Sequence, residues 1–170
     1  GYAFASAPLV IKDKVIMGPA GGEYGIRGFL AAFDVATGNE AWRFNLIPGP
    51  GEPGFETWQG DSWKTGGASI WLTGSYDPEL NLTYWGTGSP SPWSTVTRGT
   101  YGAKGLYMNS TLALNPDTGK LVWYYQHIGA DPYDQDYAFE HIVAPVNVKG
   151  QRHKAVITVG KPGIFEAVDA

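Results

Sequence analysis

The chain has 170 residues, with Gly 24, Pro 12, 14% aromatic residues and a formal net charge of −4. This is the composition of a turn-rich, strand-rich protein rather than a helical one, and its acidity argues against a nucleic-acid surface. With no cysteine, disulfides and thiolate metal sites are excluded within this stretch, and no apolar run approaches a membrane span.

In chain order, apolar patterning predicts strands at 8–16, 28–33, 41–44, 69–73, 82–86, 107–114, 121–126, 142–148, 155–159 and 164–168. Between them lie a Pro/Gly loop at 47–54, a long polar stretch at 86–105 and an acidic loop at 129–136. Long loops without their own periodicity are where function usually resides. Two eleven-residue stretches, 32–42 and 113–123, nearly coincide: Asp34 or Asn115 opens a turn, Thr37-Gly38 or Thr118-Gly119 closes it, and a strand delivers Trp42 or Trp123. A looser copy runs from Ser75 through Asp77 to Trp85, and Ala167-Val168-Asp169 begins another. The aligned positions Asp34, Asp77, Asn115 and Asp169 are 43, 38 and 54 residues apart. Such a period marks a β-propeller of four-stranded blades. The fold class is therefore all-β, and the chain is expected to be a piece of three to four blades, spanning 1–170, from a longer ring.

Each repeat carries its own physics. A short polar side chain satisfies backbone groups at the turn, glycine takes positive φ at the corner, and a Trp wedges against the neighbouring blade while its N–H seeks a carbonyl. Trp58, Trp63, Trp85 and Trp93 are read mostly as packing residues. His127, His141 and His153 are too scattered for a metal site. There is no phosphate loop and no Gly-x-Ser-x-Gly elbow.

Four segments carry a resemblance. They are Gly21-Gly22-Glu23-Tyr24-Gly25-Ile26-Arg27-Gly28, then Trp63-Lys64-Thr65-Gly66-Gly67 with Trp71, then Gly86-Thr87-Gly88-Ser89-Pro90-Ser91-Pro92-Trp93, then Tyr133-Asp134-Gln135-Asp136-Tyr137. In order and spacing they resemble successive motifs of the quinoprotein alcohol dehydrogenases, which include methanol dehydrogenase and use pyrroloquinoline quinone (PQQ). The resemblance implies an eight-bladed propeller in the complete protein, a periplasmic location, and PQQ with a metal ion in a central funnel. It implies as well a small alcohol as substrate and a cytochrome c as electron acceptor.

Residue by residue, the resemblance gives Glu23 the role of a metal ligand and places Ala20, Gly21 and Gly22 along the quinone. Relatives often carry a hydroxyl where this chain has Ala20. Trp71 matches the indole wall of the quinone pocket, where a flat apolar partner suits a flat tricyclic ring. Ser89 stands where relatives place a metal-binding Asn and offers a shorter, weaker donor. Asp134 matches the catalytic aspartate and also binds metal. Asp136, two residues on, is expected on the same side of an extended segment. An acid at that second position is a mark of lanthanide-using members, calcium being the alternative ion, and an extra carboxylate offsets the charge of a trivalent hard cation. Lys161 occupies the place of an Arg that hydrogen-bonds the quinone. The implied reaction passes hydride from the alcohol carbon to the metal-polarised quinone while Asp134 takes the hydroxyl proton. The alternative is a non-catalytic propeller scaffold of the kind that serves outer-membrane protein assembly, which has no reason to keep Glu23, Trp71, Asp134 and Asp136 together.

Overall fold

The computed structural model describes all residues from Gly1 to Ala170. Three antiparallel sheets follow one another along the chain. The first holds β1 (Leu9–Ile11), β2 (Lys14–Met17), β3 (Phe29–Asp34) and β4 (Glu40–Asn45) in that order. The second holds β5 (Ser75–Asp77), β6 (Leu82–Gly86), β7 (Ser110–Leu114) and β8 (Leu121–Gln126). The third holds β9 (Ile142–Val148), β10 (Gln151–Val159) and β11 (Phe165–Asp169). Up-and-down sheets joined in series are propeller blades. The only α-helical turn, α1 (Thr95–Arg98), lies in the long connection after β6.

The repeated turn chemistry works as its letters indicate. Asp34 Oδ1 accepts from the Thr37 N–H and hydroxyl, both at 2.8 Å. Asn115 Oδ1 accepts from Asp117 N and Thr118 N in the equivalent corner. Trp42 is buried and its Nε1 donates to Pro116 O of the second sheet at 2.8 Å, the wedge and carbonyl expected of a blade tryptophan. Gly119 has φ +69°, yet a second constraint acts on it: a Cβ there would lie 2.5 Å from the Trp42 ring. The glycine of one repeat is thus the seat for the indole of the previous blade.

Three expectations need correction. Residues 8–16 are a hairpin rather than one strand, because Lys12, at φ +54°, and Asp13 turn the chain between β1 and β2. Residues 69–73 form no strand, and the short strand β5 begins after them. The Asp77 copy is not a blade-equivalent turn: Asp77 ends β5, so its corner joins the first two strands of its sheet. Asp34, Asn115 and Asp169 instead end or directly follow the third strand of each sheet in chain order. The same Asx-turn chemistry serves two different hairpins, so local sequence does not separate them.

Sixteen buried apolar residues, among them Ile16, Leu30, Trp42, Ile70, Trp85, Leu112 and Leu114, form the core between the first two sheets. Between the second and third sheets the buried apolar cluster is only Tyr84, Ala113 and Val156.

Candidate functional site

The connections converge because the segment 66–70 runs between two others as an irregular extra strand. Gly67 N donates to Ile26 O and Gly28 N to Gly67 O, each at 2.9 Å, tying it to the Gly-rich loop after β2. On its other side Ala68 N reaches Ser89 O at 3.1 Å and Gly88 N reaches Ser69 O at 2.8 Å. This needs bare backbone: a Cβ on Gly28 would lie 2.3 Å from Ala68 O. The loops bearing Glu23, Trp71 and Ser89 are thereby stitched side by side.

Glu23 sits on a 3₁₀ turn, Gly22–Tyr24, flanked by Gly21 and Gly25 in the left-handed conformation, and is exposed. Ala20 is held by its N–H on Ala3 O at 2.7 Å. Gly22 faces Ser69, whose Oγ would lie 3.1 Å from an added Cβ. Trp71 is half-buried, meets Phe139 edge-to-face at 5.3 Å, and belongs to neither apolar cluster. It is therefore distinct from the blade tryptophans. Trp93, read as a packing residue, is exposed, whereas Trp58 and Trp85 are buried.

Asp134 and Asp136 do converge, by a route other than a pleated strand. Asp134 has φ +59°, a left-handed kink that a short Asp side chain tolerates. The two carboxylates meet at Lys161, whose Nζ lies 2.7 Å from Asp134 Oδ2 and 2.6 Å from Asp136 Oδ2. Lys161 N also donates to Asp136 O at 3.0 Å. Burial works against the charge of Lys161, but hydrogen bonds and Coulomb attraction from both aspartates outweigh it and hold its pKa above the ordinary lysine value. Asp136 Oδ1 accepts from Ser89 N at 2.6 Å, a contact that leaves little room for a side chain on Gly88, where a Cβ would lie 3.1 Å from that oxygen. The Ser89 hydroxyl turns elsewhere, donating to Asp131 Oδ2 at 3.1 Å.

Asp131 is the residue that sequence reasoning missed. It is fully buried and accepts from Tyr133 N, Gln135 N and Asn109 Nδ2 at 2.7–2.8 Å. It therefore shapes the whole turn that presents Asp134 and Asp136. The Asp-Pro pair opening that turn was the available signal. Arg98, buried at the end of α1, closes the other side by donating to the carbonyls of Trp93 at 2.8 Å and Asp131 at 3.3 Å.

Four predicted residues, Ser89, Asp134, Asp136 and Lys161, thus form one cluster, and Glu23 is not in it. No three His, Cys, Asp or Glu side chains are gathered at one point. The donor chemistry nonetheless fits a hard cation: two carboxylate oxygens aim at a single position that already holds a positive charge. The largest cleft, about 600 Å³ between β5 and β9–β10, contains none of these residues.

Residues 1–169 match the PQQ-type β-propeller domain of glucose, ethanol and alcohol dehydrogenases. The chain is 42% identical to quinohemoprotein alcohol dehydrogenase ADH IIB of Pseudomonas putida, aligning over 99% of this chain and 26% of that one. It is 36% identical to the lanthanide-dependent methanol dehydrogenase of Methylacidiphilum fumariolicum, over 99% and 30%. The crystal structure of quinohemoprotein alcohol dehydrogenase from Comamonas testosteroni superposes with a TM-score of 0.93 at 38% identity, over 99% of this chain and 27% of that one. A europium-containing methanol dehydrogenase gives 0.91 at 34% identity, over 99% and 32%. The chain therefore spans about a quarter to a third of the length of these relatives.

Proposed function

This chain belongs to the family of PQQ-dependent dehydrogenase β-propellers, and on that premise we propose that the protein containing it oxidises a primary alcohol to an aldehyde. The observation that carries this reading is the Asp134–Lys161–Asp136 cluster, held on a buried Asp131 turn and capped by Ser89 N–H. A solvated loop acid has no need of such support.

In this reading the backbone of Ala20, Gly21 and Gly22, the indole of Trp71 and the ammonium of Lys161 hold PQQ. Asp134 and Asp136 would hold the ion, and the family motifs add Glu23 and Ser89 to its ligands. When bound, the quinone supplies a hydride acceptor and the ion a Lewis acid. Within the chain itself, Asp134 is the base. Its Oδ2 is engaged by Lys161, while Oδ1 has no hydrogen-bond partner and is the atom that takes the alcohol proton. Lys161 remains an ammonium and steadies negative charge beside it. Asp136 supports the lanthanide assignment over calcium, because it adds a carboxylate beside Asp134. A periplasmic location and a cytochrome c acceptor complete the proposal, the latter supported by the word quinohemoprotein in the names of several relatives.

The test is reconstitution of the full-length protein with PQQ and either lanthanum or calcium. Reduction of an artificial dye by a primary alcohol is expected, faster with lanthanum. Neither dye reduction nor a visible-band change with either ion would leave the cofactor-free scaffold as the reading.

A further inference from the structure

Behind the aspartate cluster lies a buried chain of polar side chains that the proposed chemistry does not use. Glu166 Oε2 on β11 contacts His127 Nδ1 at 2.5 Å, and His127 Nε2 contacts Thr111 Oγ1 at 2.8 Å. Thr111 Oγ1 contacts His141 Nε2 at 2.7 Å, and His141 Nδ1 contacts Phe139 O at 3.0 Å. The His127 side chain is 1% exposed. Its ring stacks on Tyr137, with centroids 3.9 Å apart and planes 3° from parallel. Tyr125 meets it edge-on at 5.0 Å.

The hydrogen-bond directions can be assigned from the ends of this chain. Phe139 O can only accept, so His141 Nδ1 carries a proton. Burial, with a smaller push from His127, lowers the His141 pKa to about 4, so His141 is neutral and its Nε2 is bare. The single Thr111 proton therefore goes to His141, and Thr111 must accept from His127 Nε2–H. That leaves His127 Nδ1 facing Glu166 Oε2, a contact in which one proton must lie between nitrogen and oxygen. The imidazole is thus fixed at both nitrogens, and its plane is fixed with it.

The ring of Tyr137 lies against that plane. Tyr137 directly follows Asp136, and the backbone of Gly160, directly before Lys161, presses on the same phenol: a Cβ there would lie 2.6 Å from the ring. The backbone bond from Lys161 N to Asp136 O joins these two neighbours. We infer that His127, held by Glu166 and Thr111, is a positioning residue that sets Asp136 and Lys161 relative to each other through the Tyr137 ring. The catalytic consequence rests on the alcohol-oxidation reading above, while the positional one does not.

The experiment uses the full-length protein with His127→Ala, Glu166→Ala and Glu166→Gln. In cofactor-free protein, backbone hydrogen exchange is followed in peptides covering 133–138 and 158–163. Exchange there is expected to quicken in His127→Ala and, less, in Glu166→Ala, while peptides from the first sheet are unchanged. Glu166→Gln should restore the wild-type pattern, because its amide can donate to Nδ1 without a shared proton. In the reconstituted enzyme the expected loss in kcat is roughly 10-fold for His127→Ala and roughly 3-fold for Glu166→Ala, with KM within about 2-fold. Glu166→Ala, altering a partly exposed side chain, keeps the test sound should His127→Ala fail to fold. Unchanged exchange in both peptides for Glu166→Ala overturns the inference, whatever the activity. An inactive wild type with the expected exchange pattern overturns the alcohol-oxidation reading and leaves the positioning role standing.

Discussion

The two seams between adjacent sheets are built from opposite materials. The first is almost wholly apolar, an indole-centred core in which Trp42 on one sheet sits over Gly119 of the next. The second has a small apolar patch beside a polar chain of Thr111, His127, His141 and the partly exposed Glu166, with Lys154 paired to Asp77 and Glu79 at its edge. An apolar seam tolerates any partner of the right shape, whereas a polar one must be satisfied atom by atom and so specifies position. The loops bearing Asp134, Asp136 and Lys161 are anchored to the second seam. Stability and positional accuracy are divided between neighbouring interfaces of one repeat architecture.

The largest expected effect that separates the seams is on chemistry. Asp134→Ala in the full-length enzyme should lower kcat by roughly 10³-fold with no change in the urea midpoint, and retained turnover would remove Asp134 as base. Trp42→Ala should do the reverse. Losing a buried indole costs about 3–5 kcal/mol, read from chemical denaturation, while kcat per folded molecule stays within about 2-fold because Trp42 packs on Pro116 and Gly119 rather than on a site residue.

Mild acidification, from pH 6.5 toward 4, probes the buried histidines of the second seam. His141 has its pKa lowered to about 4 in the folded protein, against 6.5 for the free side chain. Between these values the unfolded chain binds a proton that the native state refuses, so stability is complete above pH 6.5 and falls as pH drops toward 4. His141 accounts for about 3 kcal/mol of the loss, and a His141→Gln variant should show a flatter profile over that window. Gly119→Ala returns to the first seam. Positive φ and the contact with Trp42 together should cost about 2 kcal/mol, measured as a fall in denaturation midpoint. Smallest of all, Lys12→Ala removes an exposed ion pair with Asp117 across the first seam and should leave the midpoint unmoved.

Legibility followed the range of the interactions. Strands β3, β4, β6, β8 and β9 were readable because turn residues bound each run, and Gly38 and Gly119 marked corners by backbone need alone. Asp134 and Asp136 were readable because they share one short loop. Asp131 was overlooked because its partners, apart from its own turn, come from Asn109, Ser89 and Arg98. The histidines looked scattered in sequence. They meet only because Thr111 on β7 lies between the ends of two other elements.

By itself the sequence determined an all-β chain with recurrent Asx-cornered hairpins, two of them followed by a strand that delivers a tryptophan, because those features arise from contacts within a few residues. Tertiary structure alone decided which hairpins are equivalent, that Asp77 does not correspond to Asp34, and that Lys161 bridges the aspartate pair. It also created the Glu166–His127–Thr111–His141 chain. Those outcomes depend on groups far apart in the chain, 27 residues for Lys161 and Asp134 and 39 for His127 and Glu166. Their energy is realised only after sheet packing has met the entropy of closing the loops between them.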